Sequence, residues 1–138
     1  MPAKDIFHDH VKAALIKDGW TVTDDPLKLK WGKKKFFVDL GAERIIIADK
    51  ANRRIGVEVK SFVGRSDMAD LEDALGQFVL YHDVLAKVEP DRTLYLAIND
   101  AAYETVFSEP IGQLLLENKR LKLIVFDPST KEILRWIT

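Results

Sequence analysis

Gly56-Val57-Glu58-Val59-Lys60-Ser61 is the stretch on which the reading of this chain turns. Valine is branched at Cβ and stiff at χ1, so the run favours an extended strand. Side chains alternate faces along a strand: Val57 and Val59 point into an apolar layer, and Glu58 and Lys60 share the opposite face. A carboxylate and an ammonium on so apolar a strand are costly to bury unless something compensates them. Two arrangements meet that condition. In one, Glu58 and Lys60 are an exposed pair on an edge strand. In the other, a divalent cation neutralises Glu58 and a second acid completes its oxygen ligation. Asp39, which precedes a hairpin, would supply that acid, and the Val59 carbonyl a third oxygen. Magnesium takes one or two carboxylates and keeps several waters, so this donor set suits Mg²⁺ or Mn²⁺. Lys60 would then hold the attacking water or stabilise charge on a scissile phosphate.

Working outward, residues 35–40, 44–49 and 54–60 read as strands, the last two joined through the polar turn Lys50-Ala51-Asn52-Arg53 as a hairpin. Before them, Ile6, Val11, Ala14 and Leu15 recur at helical spacing over 5–18, with Gly19 as C-cap. After them, Ser66-Asp67 starts a helix running to about Val88, with Met68, Leu71, Leu75, Phe78 and Leu85 on its core stripe. Pro90 ends it. Residues 93–98 form an apolar run suited to a central strand, and a helix over 101–118 is interrupted near Ser108-Glu109-Pro110. Two strands, 121–126 and 131–137, flank the turn at Asp127-Pro128-Ser129-Thr130. This order predicts one α/β domain over 1–138, a mixed sheet flanked by helices.

Composition narrows the function classes. The 138 residues are 47% hydrophobic and 31% charged, ordinary for a globular domain. The chain has no cysteine, which excludes disulfides, thiolate zinc sites and cysteine nucleophiles together. No signal peptide or bilayer-spanning run is expected, which points to a cytoplasmic protein without a membrane partner. Net charge is −1, so the whole molecule is no electrostatic magnet for nucleic acid. Lys28, Lys30, Lys33, Lys34 and Lys35 nonetheless cluster around Trp31, either as a solvated turn or edge strand or, with Lys33, Lys34 and Lys35 foremost, as a phosphate-contacting patch. His8 and His10, two apart on a helix, face different ways and make poor metal ligands. The remaining aromatic residues sit in apolar runs and read as core.

An acid, then an apolar strand ending in Glu58-Val59-Lys60, then a helix, resembles the PD-(D/E)XK endonuclease-like superfamily. Gln77-Phe78-Val79-Leu80-Tyr81 places Gln77 and Tyr81 four apart on one helix face and resembles the Q-x-x-x-Y element of several nuclease branches. More narrowly, Asp39-Leu40-Gly41-Ala42-Glu43-Arg44, Glu58-Val59-Lys60-Ser61-Phe62, Ala74-Leu75-Gly76-Gln77-Phe78 and Ala14-Leu15-Ile16-Lys17-Asp18-Gly19-Trp20 look like the XisH family, named for fdxN element excision controlling factors. That resemblance spans essentially the whole chain. It implies a part in programmed excision of a DNA element, alongside a recombinase and an XisI-type companion.

Together these readings give a restriction-endonuclease-like fold with a Mg²⁺-dependent hydrolase site for DNA phosphodiesters. Asp39 and Glu58 hold the ion, Lys60 assists the water, and Gln77 and Tyr81 orient the site. Glu43 is the substitute first acid: a turn at Lys50–Arg53 would put it opposite Lys60 and leave Asp39 beyond the pairing. Asp9 is the candidate acid from the first helix. The rival reading is a catalytically silent, nuclease-derived accessory protein that binds DNA or a recombination partner; a third is an interaction scaffold with surface acids. A homodimer is implied by the superfamily, since two nicks on a duplex need two sites.

Overall fold

The structure is a computed structural model that describes residues 4–46, 51–64 and 66–138. Helix α1 (His8–Lys17) turns at Gly19, whose φ of 94° favours a residue without Cβ, into β1 (Thr21–Asp24). Strands β2 (Leu27–Trp31) and β3 (Lys34–Val38) form a separate two-stranded ribbon. Then come β4 (Leu40–Ile46), β5 (Ala51–Val59) and the long helix α2 (Asp67–Val88). Strand β6 (Arg92–Asn99) leads into α3 (Asp100–Ala102), a π-helical turn over 103–107 and α4 (Pro110–Glu117). Strands β7 (Leu123–Asp127) and β8 (Glu132–Ile137) finish the fold.

Six strands make a mixed sheet in the order β1-β4-β5-β6-β7-β8. The β5–β6 and β6–β7 pairs are parallel, each bridged by helix, and the outer pairs are antiparallel. Alternation along β5 supplies both layers. Ile55, Val57 and Val59 pack beneath α1 with Val11, Leu15, Leu40 and Phe126. On the other face, α2 lays Leu71, Phe78 and Leu85 over Leu94, Leu96 and the ribbon's Leu27, Leu29 and Val38. Each such side chain contributes roughly 1.5–3 kcal/mol by leaving water. Helix α2 begins where its cap dictates, the Ser66 hydroxyl accepting from the Ala69 N–H at 3.2 Å. It ends at Glu89, which precedes Pro90 and has left the helical region with φ −138° and ψ 72°, as the clash with the proline ring requires.

The mixed α/β sheet matches the sequence reading, with corrections of detail. Strand β5 starts at Ala51, so Ala51, Asn52 and Arg53 belong to the ladder rather than to a turn; Lys50 and residues 47–49 lie outside the described residues. Residues 35–40 are not one strand. The chain bends at Asp39 and passes from the ribbon into the main sheet, which lets Val38 pack under α2 while Leu40 packs under α1. Residues 27–31, not assigned to a strand, pair with β3 because alternate Leu27 and Leu29 bury against α2. Met68, expected in the core, is 46% exposed in the first turn of its helix, and Trp31, amid the lysine cluster, is 53% exposed at the ribbon's tip.

Candidate metal centre at the end of β5

The bend at Asp39 builds the site. Leu40 pairs with Val57, so the next position outward sets Asp39 beside Glu58. The regular ladder ends there and the two acids continue it with side chains: the Asp39 N–H donates to Glu58 Oε1 at 2.9 Å, and the Val59 N–H donates to Asp39 Oδ2 at 2.7 Å. Asp39 Oδ1 and Glu58 Oε2 accept no hydrogen bond among the described residues. In an extended strand one residue's N–H and C=O point to the same side, so the Val59 carbonyl faces Asp39, whereas the Lys60 N–H turns to Ala97 on β6. Glu43, the substitute first acid, pairs with Arg54, four residues down the strand from Asp39 and about 13 Å away. The turn expected at Lys50–Arg53 had shifted the register; with β5 starting earlier, Asp39 is the acid beside Glu58.

Burial dominates the electrostatics. Glu58 is 8% exposed, and burial, reinforced by the Asp39 charge, pushes its carboxyl up to about 9 against the opposing Asp39 N–H. Burial likewise raises Asp39, with the Val59 N–H pulling the other way. Tyr81 is the α2 residue that looks into this site: burial and then the charges of Glu58 and Asp39 hold its hydroxyl protonated above its ordinary range. Its ring packs edge-on against Phe36 of the ribbon. Gln77, one turn earlier, is exposed. Lys60 is partly buried, and its ion pair is with Asp70 on α2 at 3.7 Å rather than with Glu58. Asp70 also accepts the Gly64 N–H at 2.9 Å, tying the segment after β5 to the helix.

Asp70 and two further acids, Asp5 and Asp25, escaped the sequence reading. Asp5 accepts the Ser61 N–H at 3.0 Å with one oxygen and the Phe7 N–H at 2.9 Å with the other, and its charge raises Asp39. Asp9, the candidate from this helix, is exposed and its charge is felt by Lys12. Asp25 holds the buried His8 at 2.7 Å and Lys12 at 2.8 Å. An acid three residues before the first helical residue was the available signal for Asp5, hidden because the helix was expected to begin on it.

Among the described residues no three His, Cys, Asp or Glu side chains gather tightly enough to form a ligand cluster. The donor set at β5 is two carboxylates and a carbonyl, all oxygen. That fits a hard ion that keeps several waters and does not fit a closed zinc site. A cavity of about 480 Å³ lies at the other end of β5, lined by Asp18, Trp20, Arg44, Arg53, Tyr95 and Trp136 among others, where charges of both signs mix. No described helix is long and apolar enough to cross a membrane.

None of the curated proteins matches the chain. Two solved structures do. A fdxN element excision controlling factor protein from Anabaena variabilis is 40% identical with a TM-score of 0.88, covering 98% of this chain and 100% of that one. An XisH family protein from Nostoc punctiforme PCC 73102 is 35% identical with a TM-score of 0.87, covering 97% and 100%. The XisH protein family model matches residues 1–134. With nearly every residue of the chain accounted for in sequence and in fold, the chain belongs to the XisH family.

Proposed function

We propose that this protein is an excision controlling factor for a DNA element and that it carries a PD-(D/E)XK-type, Mg²⁺- or Mn²⁺-dependent phosphodiester hydrolase site. The observation that carries the reading is the Asp39–Glu58 pair: a half-buried and a buried carboxylate side by side at a strand end, each with one oxygen held by a backbone N–H and one left over. Like charges so placed are self-repulsive without a cation. Asp39 Oδ1, Glu58 Oε2 and the Val59 carbonyl would hold the ion. When bound, such an ion acidifies a water and offsets charge on a phosphate. Asp70 steadies Lys60 at the same strand end, from where the ammonium can meet a phosphate oxygen. Tyr81 stays a hydroxyl donor beside the acids, and Gln77, standing in solvent one turn away, contacts the substrate rather than the ion. The described relative from Anabaena supports the excision role, in which a recombinase, an XisI-type companion and a second copy of the chain are the partners.

One observation favours a silent accessory protein instead. The two carboxylates already satisfy backbone N–H groups, as a purely structural pair would. Calorimetry of Mg²⁺ and Mn²⁺ binding, run beside cleavage of supercoiled DNA, separates these. One ion per chain, lost in Asp39→Asn and Glu58→Gln, with nicking that follows it, supports the hydrolase. Binding without nicking supports the accessory role, and no binding removes the metal site.

A further inference from the structure

The register of the β2–β3 ribbon divides its lysines. Directly opposed residues share a face: Leu27 with Val38, Leu29 with Phe36 and Trp31 with Lys34 on the side packed toward α2; Lys28 with Phe37 and Lys30 with Lys35 on the outer side. Lys33 sits in the turn after Gly32, whose φ is 61°. Of Lys33, Lys34 and Lys35, therefore, only Lys35 joins the outer face. Lys28, Leu29, Lys30, Lys35 and Phe37 line a groove of about 340 Å³. Among the described residues none of the ribbon's lysines has an acid within ion-pair distance. Like charges directly opposed across two strands are destabilising, so Lys30 and Lys35 weaken the ribbon they belong to. An anion between them would reverse that cost.

We propose that this outer face is a phosphate track seating one strand of duplex DNA beside the acid pair. It rests on the hydrolase reading only in taking DNA as the ligand. Strand β3 runs straight into Asp39: Phe37 is two residues away and Lys35 four, at most about 14 Å along the chain. At about 3.4 Å of rise per phosphate on one strand, Lys35 meets the backbone within roughly four nucleotides of Asp39. Lys30, level with Lys35, and Lys28, level with Phe37, extend the row toward the site. An acidic peptide would find the same charges, but only a phosphodiester backbone gives the row a reason to end at the candidate hydrolase site. Phosphate contacts of this kind set register without reading sequence, in keeping with targeting by a partner.

The test is fluorescence anisotropy of a labelled duplex with salt, in EDTA so that neither metal nor cleavage enters. Lys30→Ala/Lys35→Ala should lower the slope of log K against log salt by about two, at roughly 0.9 per phosphate released. Lys33→Ala/Lys34→Ala should leave it near wild type, and the ribbon variant should melt no lower than wild type because its opposed charges are gone. Glu58→Gln should bind as well as wild type or better. A slope untouched by Lys30→Ala/Lys35→Ala, or lowered equally by Lys33→Ala/Lys34→Ala, overturns the track. So does heparin binding that matches the duplex in affinity and slope, which marks a generic anion surface. Duplex binding through Lys30 and Lys35 by a protein that never nicks DNA upholds the track and removes the hydrolase.

Discussion

Strand β5 carries charge at both ends, and the two ends treat it differently. At its start, Arg54 meets Glu89 at 3.2 Å, and Arg92 on the neighbouring strand, 6% exposed, reaches Glu89 at 3.3 Å, Asp24 at 3.7 Å and the Ile55 carbonyl at 2.8 Å. Every cation there named has an anion. At its finish, Glu58 lies against Asp39, and Lys60, two residues further along the chain, pairs with Asp70 instead. The first end is compensated within the chain. The second has no ion pair to either acid among the described residues, the kind of arrangement that marks a candidate ligand site. In sheets with parallel strands, ligands also gather at the carboxyl ends, which is where this pair stands.

The largest effect should come from breaking the compensated end. Arg92→Ala leaves a buried carbonyl without its donor, Asp24 without its cation and Glu89 with Arg54 alone, so urea denaturation should show a loss of about 3 kcal/mol. The reverse is expected at the acid end. Glu58 has an ordinary value of 4.5, and in the fold its carboxyl is pushed up to about 9. Between those values the folded chain holds a proton that the unfolded chain has released, so metal-free stability falls as pH rises through that window, by at most about 1.4 kcal/mol per pH unit. Glu58→Gln should flatten that slope and melt higher than wild type at pH 8 in EDTA. A wild-type stability that rises with pH across this range would show that Glu58 is ionised in the metal-free fold.

Added metal sharpens the contrast from the other direction. Saturation a hundredfold above Kd should stabilise the wild type by about 2.7 kcal/mol, and Asp39→Asn or Glu58→Gln should cancel this; thermal melts with Mg²⁺ and Mn²⁺ read it. Because Glu58 is protonated beforehand, binding should release a proton, so apparent affinity should strengthen as pH rises toward about 9. The smallest effects belong to α2. Tyr81→Phe should cost under about 1 kcal/mol and Gln77→Ala under about 0.5 kcal/mol in stability. Both should lower DNA nicking all the same. Unchanged nicking in Gln77→Ala would detach that residue from the site.

Much of this was legible in the sequence. Alternation along Val57-Glu58-Val59-Lys60 placed the acid and the ammonium on one face, apart from the valines, and local periodicity marked both long helices, because these patterns arise within a few neighbouring residues. The partner of Glu58 was not legible in the same way. Asp39 and Glu43 were both open until the β4–β5 register was known, and one shift in the turn exchanges them. Which acid near the first helix faces the site, Asp5 or Asp9, depended on where the helix begins and on packing over 50 residues away in the chain. The division of the ribbon lysines required knowing that residues 27–31 form a strand at all. Sequence determined which chemistry was present, through residue type and spacing. Tertiary structure alone decided which groups meet, because register and the bend at Asp39 are settled by buried contacts between segments far apart in the chain.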